Sequence, residues 1–155
     1  MNIFANDVMK NKVVLVTGGA TGIGKGIASL FGQYGAKVMI ASRKEQVLVS
    51  AVKDLQQAGV EADFCVCDIR EPVAVEQLMA AVRARFGGLD ILVNNVFKIP
   101  DPPAWDGGFW EHPVSIWDDQ VGIGCRAHYV ASWHAAPLLF ESSKRPIIIN
   151  ITSSS

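Results

Sequence analysis

The residues best placed to do chemistry in this 155-residue chain lie between Thr17 and Gly24, which read T-G-G-A-T-G-I-G. They follow directly on the apolar run Val13-Val14-Leu15-Val16. Lacking Cβ atoms, Gly18, Gly22 and Gly24 let the backbone turn sharply and come close to a pyrophosphate. A helix opening at that point adds unpaired N–H donors and the positive end of its dipole, both suited to phosphate. The flanks supply that setting. The preceding run is β-branched and continuously apolar, as in a strand buried on both faces. From Ile23 onward Ile23, Ile27, Leu30 and Phe31 recur at helical spacing, with Gly35 as the stop. A glycine-rich turn alone means little, but between a strand and a helix it predicts dinucleotide binding.

A second chemical signal closes the next apolar segment, Lys37 to Ala41, where Ser42-Arg43-Lys44 follow. An acidic residue there would hydrogen-bond a ribose 2′-OH and repel a 2′-phosphate. Ser42 repels nothing, and Arg43 can fork onto a phosphate through charge-assisted hydrogen bonds. The expected cofactor is therefore NADP(H), with NAD(H) second. The competing reading is that Arg43 and Lys44 only begin a helix on a solvated face, although cations at that end oppose the dipole. Other reactive side chains suggest less. Cys65 and Cys67 share a strand face and lack further ligands at metal spacing, so they read as buried thiols and no metal is expected. His112, His128 and His134 read as structural. Trp105, Phe109, Trp110 and Trp117 could line an apolar pocket or simply pack a loop.

The elements that position these groups alternate. Strands are expected at Val13–Val16, Lys37–Ala41, Ala62–Cys67, Leu89–Val93 and Pro146–Ile151. Helices are expected from Ile23, over Lys44–Ala58, over Glu71–Phe86, and from Ser115 to about Ser142, the last opened by a Ser115–Asp118 capping box. The segment Lys98–Trp110, rich in proline, glycine and aromatics, reads as a loop at the ligand-binding end of a strand. Such alternation specifies a parallel sheet with helices on both faces. The expected fold is a doubly wound α/β domain spanning 1–155 with about five strands, and the family resemblance given below implies that it is Rossmann-like, incomplete, and ordered 3-2-1-4-5.

A formal net charge of −1 gives no electrostatic case for nucleic acid or an anionic membrane. Half the residues are hydrophobic and mean hydropathy is +0.25, which fits a globular core. No apolar run approaches a membrane span, and the first ten residues do not read as a secretory signal, so the cytoplasm is the expected location. Three cysteines, an odd number, agree with a reducing compartment.

The T-G-x-x-x-G-x-G spacing resembles the short-chain dehydrogenase/reductase family, and the likeness runs from about Lys12 to Ser155. It implies that Gly18, Thr21, Gly22, Ile23 and Gly24 hold the cofactor, and that Arg43 beside Ser42 marks NADP. It implies that Asp68-Ile69 contact the adenine, Asp68 accepting from the exocyclic amine, unless Asp68 is a simple turn residue. Asn94-Asn95-Val96-Phe97 stands where the family has Asn-Asn-Ala-Gly, so Asn94 would brace the strands and line the nicotinamide ribose. Val96 and Phe97 depart from that pattern. Asn150-Ile151-Thr152-Ser153 aligns Ser153 with the catalytic serine, whose hydroxyl polarises the substrate oxygen, though such a cluster also suits a plain tail.

The family's Tyr-x-x-x-Lys pair has no counterpart, since Val38 and Trp133 stand four residues after Tyr34 and Tyr129. Gly124 replaces the family's helical asparagine. With Phe109-Trp110-Glu111 and Trp117-Asp118-Asp119, it resembles the dehydrogenase/reductase family member 1 branch. The expected function is hydride transfer between nicotinamide and a small-molecule carbonyl or secondary alcohol, this chain being the cofactor-binding portion and the full-length form a homo-oligomer. The rival is a non-catalytic NADP(H)- or partner-binding module. Ile147, Ile148, Ile149 and Ile151 at an unpaired edge, and a helix face around Val130, Trp133 and Leu138, are expected to lack cover.

Overall fold

Alternation along the strands sorts the core into two faces of one sheet. The computed structural model describes residues 5–99 and 107–152. Its strands are β1 (Val13–Thr17), β2 (Lys37–Ser42), β3 (Ala62–Val66), β4 (Ile91–Asn94) and β5 (Ile147–Asn150). All pairs are parallel, in the order β3-β2-β1-β4-β5, as the resemblance and the βα alternation lead one to expect. Helices α1 (Gly22–Gln33) and α2 (Glu45–Gln57) pack with Val14, Val16, Val38 and Ile40. Helix α3 (Pro72–Phe86), and α5 (Ala127–Phe140) beyond it in the chain, pack with Val13, Leu15, Met39 and Leu92 on the other face. Each strand side chain points opposite to its neighbour, so a continuous apolar run serves both layers.

Two helices differ from the sequence reading. In α1, Ile23 and Leu30 are exposed, and the buried residues are Gly24 and Ala28. The helix lies too close to its neighbours for large side chains on that stripe: a Cβ on Gly32 would overlap Val60. The second difference is in the long helix expected from Ser115. It divides into α4 (Ser115–Val121), a five-residue π-helical segment (Gly122–Arg126) and α5. Gly122 and Gly124 weaken the α-helical preference there, which lets the turn widen. The expected capping box does not form, because Val114 is already helical (φ −56°, ψ −27°) and Ser115 lies inside the helix without a capping bond.

The open side of the sheet is β5, where Ile147 and Ile148 are exposed and Ile149 is half-buried. On α5, Tyr129, Trp133 and Phe140 are exposed, whereas Leu138, expected to be uncovered, is buried against the α3 side of the core. At the base of the sheet Asp90 is buried and accepts from the Val13 N–H (2.7 Å) and the Ser142 hydroxyl, locking the strand ends together.

Candidate functional site: a glycine cradle beside a basic shelf

The turn after β1 needs its glycines for separate reasons. Gly18 and Gly22 have φ of +66° and +51°, in the left-handed region that L side chains rarely adopt. Gly24 is needed for space, since a Cβ there would overlap the Gly18 carbonyl and the Asn95 amide. Gly19 was not singled out from sequence, yet a Cβ on it would stand 2.7 Å from Ile40. The turn is braced from β4. The Asn95 Nδ2 donates to the Thr17 and Gly18 carbonyls (both 3.3 Å), and the Asn95 N–H donates to the Thr17 hydroxyl (3.1 Å), which itself donates to the Val93 carbonyl (3.2 Å). Thr21 precedes α1 in extended conformation and makes no side-chain capping bond, so the first-turn N–H groups are not closed off by their own chain's cap.

A cavity of about 360 Å³ opens over this turn at the C-terminal ends of β1, β2 and β3. Of the residues expected to hold a cofactor, Gly18, Thr21, Ser42, Arg43, Asp68 and Ile69 all line it. Gly22, Ile23, Gly24 and Asn94 do not. Gly22 and Gly24 shape the turn, and the Ile23 side chain is 70% exposed at the start of α1. Ser153 lies outside the described residues, as does Trp105. Lys44, Arg70 and Lys98 line the cavity as well, so with Arg43 four cationic side chains and one carboxylate, Asp68, line it among the described residues. Arg70 forks onto Asp68 (Nε to Oδ1 2.9 Å, Nη2 to Oδ2 2.5 Å), and its own N–H donates to Oδ1 (3.1 Å). Those hydrogen bonds hold the Asp68 carboxyl below its ordinary range despite partial burial, and the charge of Arg43 acts in the same direction. Cys67, also at the wall, is pushed up to about 12 by burial and stays a neutral thiol.

Asn94 does something different from its neighbours. It is fully buried, and its Nδ2 donates to Asn150 Oδ1 (2.9 Å) and the Ser132 hydroxyl (3.0 Å), tying β4 to β5 and α5. Its side chain does not reach the cavity, while its Oδ1 has no hydrogen-bond partner among the described residues. Two residues beyond the π segment, His128 meets the Val96 carbonyl through Nε2 at 2.9 Å, and burial lowers its basicity. Lys98 is held by Asp119 (2.5 Å), and the Lys98 carbonyl accepts from Gln120 (3.0 Å). The long helix thus grips the strand-end segment that forms the cavity wall. At Gly124 an added Cβ would meet nothing within 4 Å, so close packing does not demand glycine there.

Sequence reasoning missed Arg70, and it named Asn95 in the paired-asparagine motif and read His128 as structural without finding the partners of either. Arg70 had a readable signal, because an Asp commonly accepts from the backbone two residues on. The other two bond to carbonyls contributed by distant segments, which no local pattern encodes.

The group that the glycine turn implies fits what is present. Nothing lies within 4 Å of a Cβ built on Gly22, and beside it the cavity runs from Gly18 and Thr21 to Ser42 and Arg43.

The family model described as short chain dehydrogenase matches residues 12–155. Dehydrogenase/reductase SDR family member 1 of Mus musculus is 37% identical over 144 residues, covering 91% of this chain and 46% of the mouse protein. The Homo sapiens protein of the same name is 34% identical over the same length. A metagenomic short-chain oxidoreductase in complex with NADP superposes with a TM-score of 0.82 at 30% identity, over 95% of this chain and 64% of that one. An actinorhodin polyketide ketoreductase with NADPH gives 0.81 at 35% identity, over 92% and 53%. The chain spans about half the length of the curated relatives named here. With the fold, the glycine turn and the family match in agreement over nearly its whole length, the chain belongs to the short-chain dehydrogenase/reductase family.

Proposed function

We propose that this chain is the NADP(H)-binding portion of an oxidoreductase that moves a hydride between nicotinamide and a carbonyl or secondary alcohol. The observation that carries the reading is the joining of the glycine turn to Ser42 and Arg43 within one cavity. Gly18, Thr21 and the N-terminus of α1 would take the pyrophosphate, and Ser42 with Arg43 the 2′-phosphate. When bound, the cofactor supplies the hydride. The protein fixes the turn through Asn95 and Thr17, walls the site with Val96 and Ile123, and keeps Cys67 neutral and inert beside it. Ser153 would polarise the substrate oxygen, as the family likeness implies. That both structural neighbours named above carry NADP or NADPH supports the choice of cofactor.

A second reading, a non-catalytic NADP(H)-binding or partner-binding module, is favoured by one observation: neither tyrosine in these 155 residues has a lysine four positions on. The exposed aromatic face of α5 supports the further reading that the full-length form is a homo-oligomer. Free cysteines support a reducing, cytoplasmic setting; among the described residues no helix is long and apolar enough to cross a membrane. The test is a pair of titrations read by nicotinamide fluorescence. NADPH should bind roughly ten- to hundred-fold more tightly than NADH. Equal affinities, or a preference unchanged in Arg43→Ala, would contradict the assignment.

A further inference from the structure

We propose that Phe97 is a stacking wall for the adenine of the dinucleotide, at the position where this chain departs from the family's Asn-Asn-Ala-Gly pattern. The inference rests on the dinucleotide reading above and deepens it at one residue. A single exposed apolar side chain calls for no explanation by itself. Phe97 is 56% exposed, but it also lines the cavity, and its backbone is held on both sides. The Val96 carbonyl meets His128 Nε2 (2.9 Å), and the Lys98 carbonyl accepts from Gln120 Nε2 (3.0 Å). The Lys98 ammonium is held by Asp119 (2.5 Å). These anchors come from α4 and α5, and they fix the residues before and after Phe97. An aromatic ring carried on anchored backbone and left open beside a cavity loses little freedom when a ligand covers it.

The other lining residues indicate which part of the ligand the ring meets. Ser42 and Arg43, which fit the 2′-phosphate, line the same cavity as Phe97, and that phosphate is carried by the adenosine ribose. The group next to that ribose is the base. The rest of the wall suits a flat ring with a polar edge. Ile69 and Ile123 are buried and present apolar surface, and Asp68 stands beside them as an acceptor. Asp68 stays ionised under the Arg70 hydrogen bonds, so it offers an acceptor to the edge of the base while Phe97 offers a face. A glycine at position 97 would have no ring to offer. Stacking accepts any base, since each has a π-face, so Phe97 adds affinity and leaves selectivity to Asp68.

The test uses the 155-residue chain with two ligands. NADPH is followed by nicotinamide fluorescence. Adenosine 2′,5′-bisphosphate, which carries the base and the 2′-phosphate without the nicotinamide, is followed by calorimetry and proton NMR. Phe97 is the one aromatic residue lining the cavity among the described residues, so its ring current should move the adenine protons upfield when the native chain binds. Phe97→Ala should weaken both ligands by the same factor, roughly five- to hundredfold, and remove most of that upfield movement. Phe97→Leu, which keeps apolar area without a ring, should fall between, and Phe97→Tyr should recover all but about twofold of the native affinity. Equal affinities in the native chain and Phe97→Ala would overturn the inference and leave the dinucleotide reading intact. So would adenine protons that do not move upfield in the native chain, a result that stands even if a variant fails to fold. A Phe97→Ala chain that loses NADPH but holds adenosine 2′,5′-bisphosphate as before would also overturn it, by placing the ring at the nicotinamide or substrate end. If the native chain binds neither ligand, the dinucleotide reading falls and takes this inference with it.

Discussion

Strands β1 and β5 are alike in composition and opposite in environment. Every residue of β1 is buried, whereas three of the four in β5 are exposed. Around β1 the chain closes on itself: α1 and α2 cover one face, α3 and α5 the other, and the turn that follows is braced by Asn95. Around β5 the isoleucines meet β4 on one side only. The difference separates two tasks. Burial at β1 holds a backbone turn whose left-handed positions glycine adopts without strain, and beyond it the first-turn N–H groups of α1 face outward without a side-chain cap. The β5 side supplies Asn150 and the helix that grips the cavity wall, and no polar group of β5 reaches the cavity.

The comparison breaks most plainly in catalysis. The glycine turn and the basic shelf share one cavity, but neither Tyr34 nor Tyr129 has a lysine four positions on, the spacing of the family's pair. The 155-residue chain should therefore show negligible NADPH oxidation with an aldehyde and ketone panel, since a missing acid–base pair costs about 10²–10⁴-fold in rate. Robust turnover that persists in Tyr34→Phe and Tyr129→Phe would place the proton donor elsewhere.

Next comes stability. Leu15→Ala in β1, fully buried, should cost about 2–5 kcal/mol. Ile148→Ala in β5, over a third exposed, should cost well under half of that in the same denaturant titration. Equal costs would mean that β5 is as tightly packed as β1.

Two glycines sharpen the contrast with one substitution. Gly24→Ala forces a Cβ into the Gly18 carbonyl and Asn95, so it should destabilise by about 1–3 kcal/mol and weaken nucleotide binding. Gly124→Ala enters open space within a helix and should stabilise by about 0.5–1 kcal/mol. Matching signs in thermal melts would refute the packing distinction.

The smallest effect is a pH slope. Burial lowers the pKa of His128 below its ordinary 6.5, so the unfolded chain takes up that proton first on acidification. Native stability should then be highest above pH 6.5 and decline as pH falls below it. His128→Gln should flatten that part of the profile. If the slope is the same in the variant, His128 is not its source.

What could be read from the sequence follows the same division. The strand–turn–helix at Val13–Gln33 and the Ser42–Arg43 shelf were legible because period, glycine placement and a short charged motif are local, and the strand order came with the family resemblance. Apolar spacing in α1 did not tell which of Ile23, Ile27, Leu30 and Phe31 pack inward, because helix-to-sheet distance, set by Gly24, Ala28 and Gly32, decides which stripe is buried. The π segment was invisible in a pattern that fits a continuous helix, and although Asn94 was expected to brace the strands, its partners, Ser132 and Asn150, lie too far off in sequence to be read.

Amide shift mapping of the 155-residue chain during an NADPH titration tests the division of labour most directly. The expected result is a set of perturbations concentrated at Gly18 to Gly24, Ser42 to Lys44 and Asp68 to Arg70, with Ile147 to Asn150 unmoved. Perturbations centred on β5 and α5, or none at the glycine turn at saturating NADPH, would contradict it.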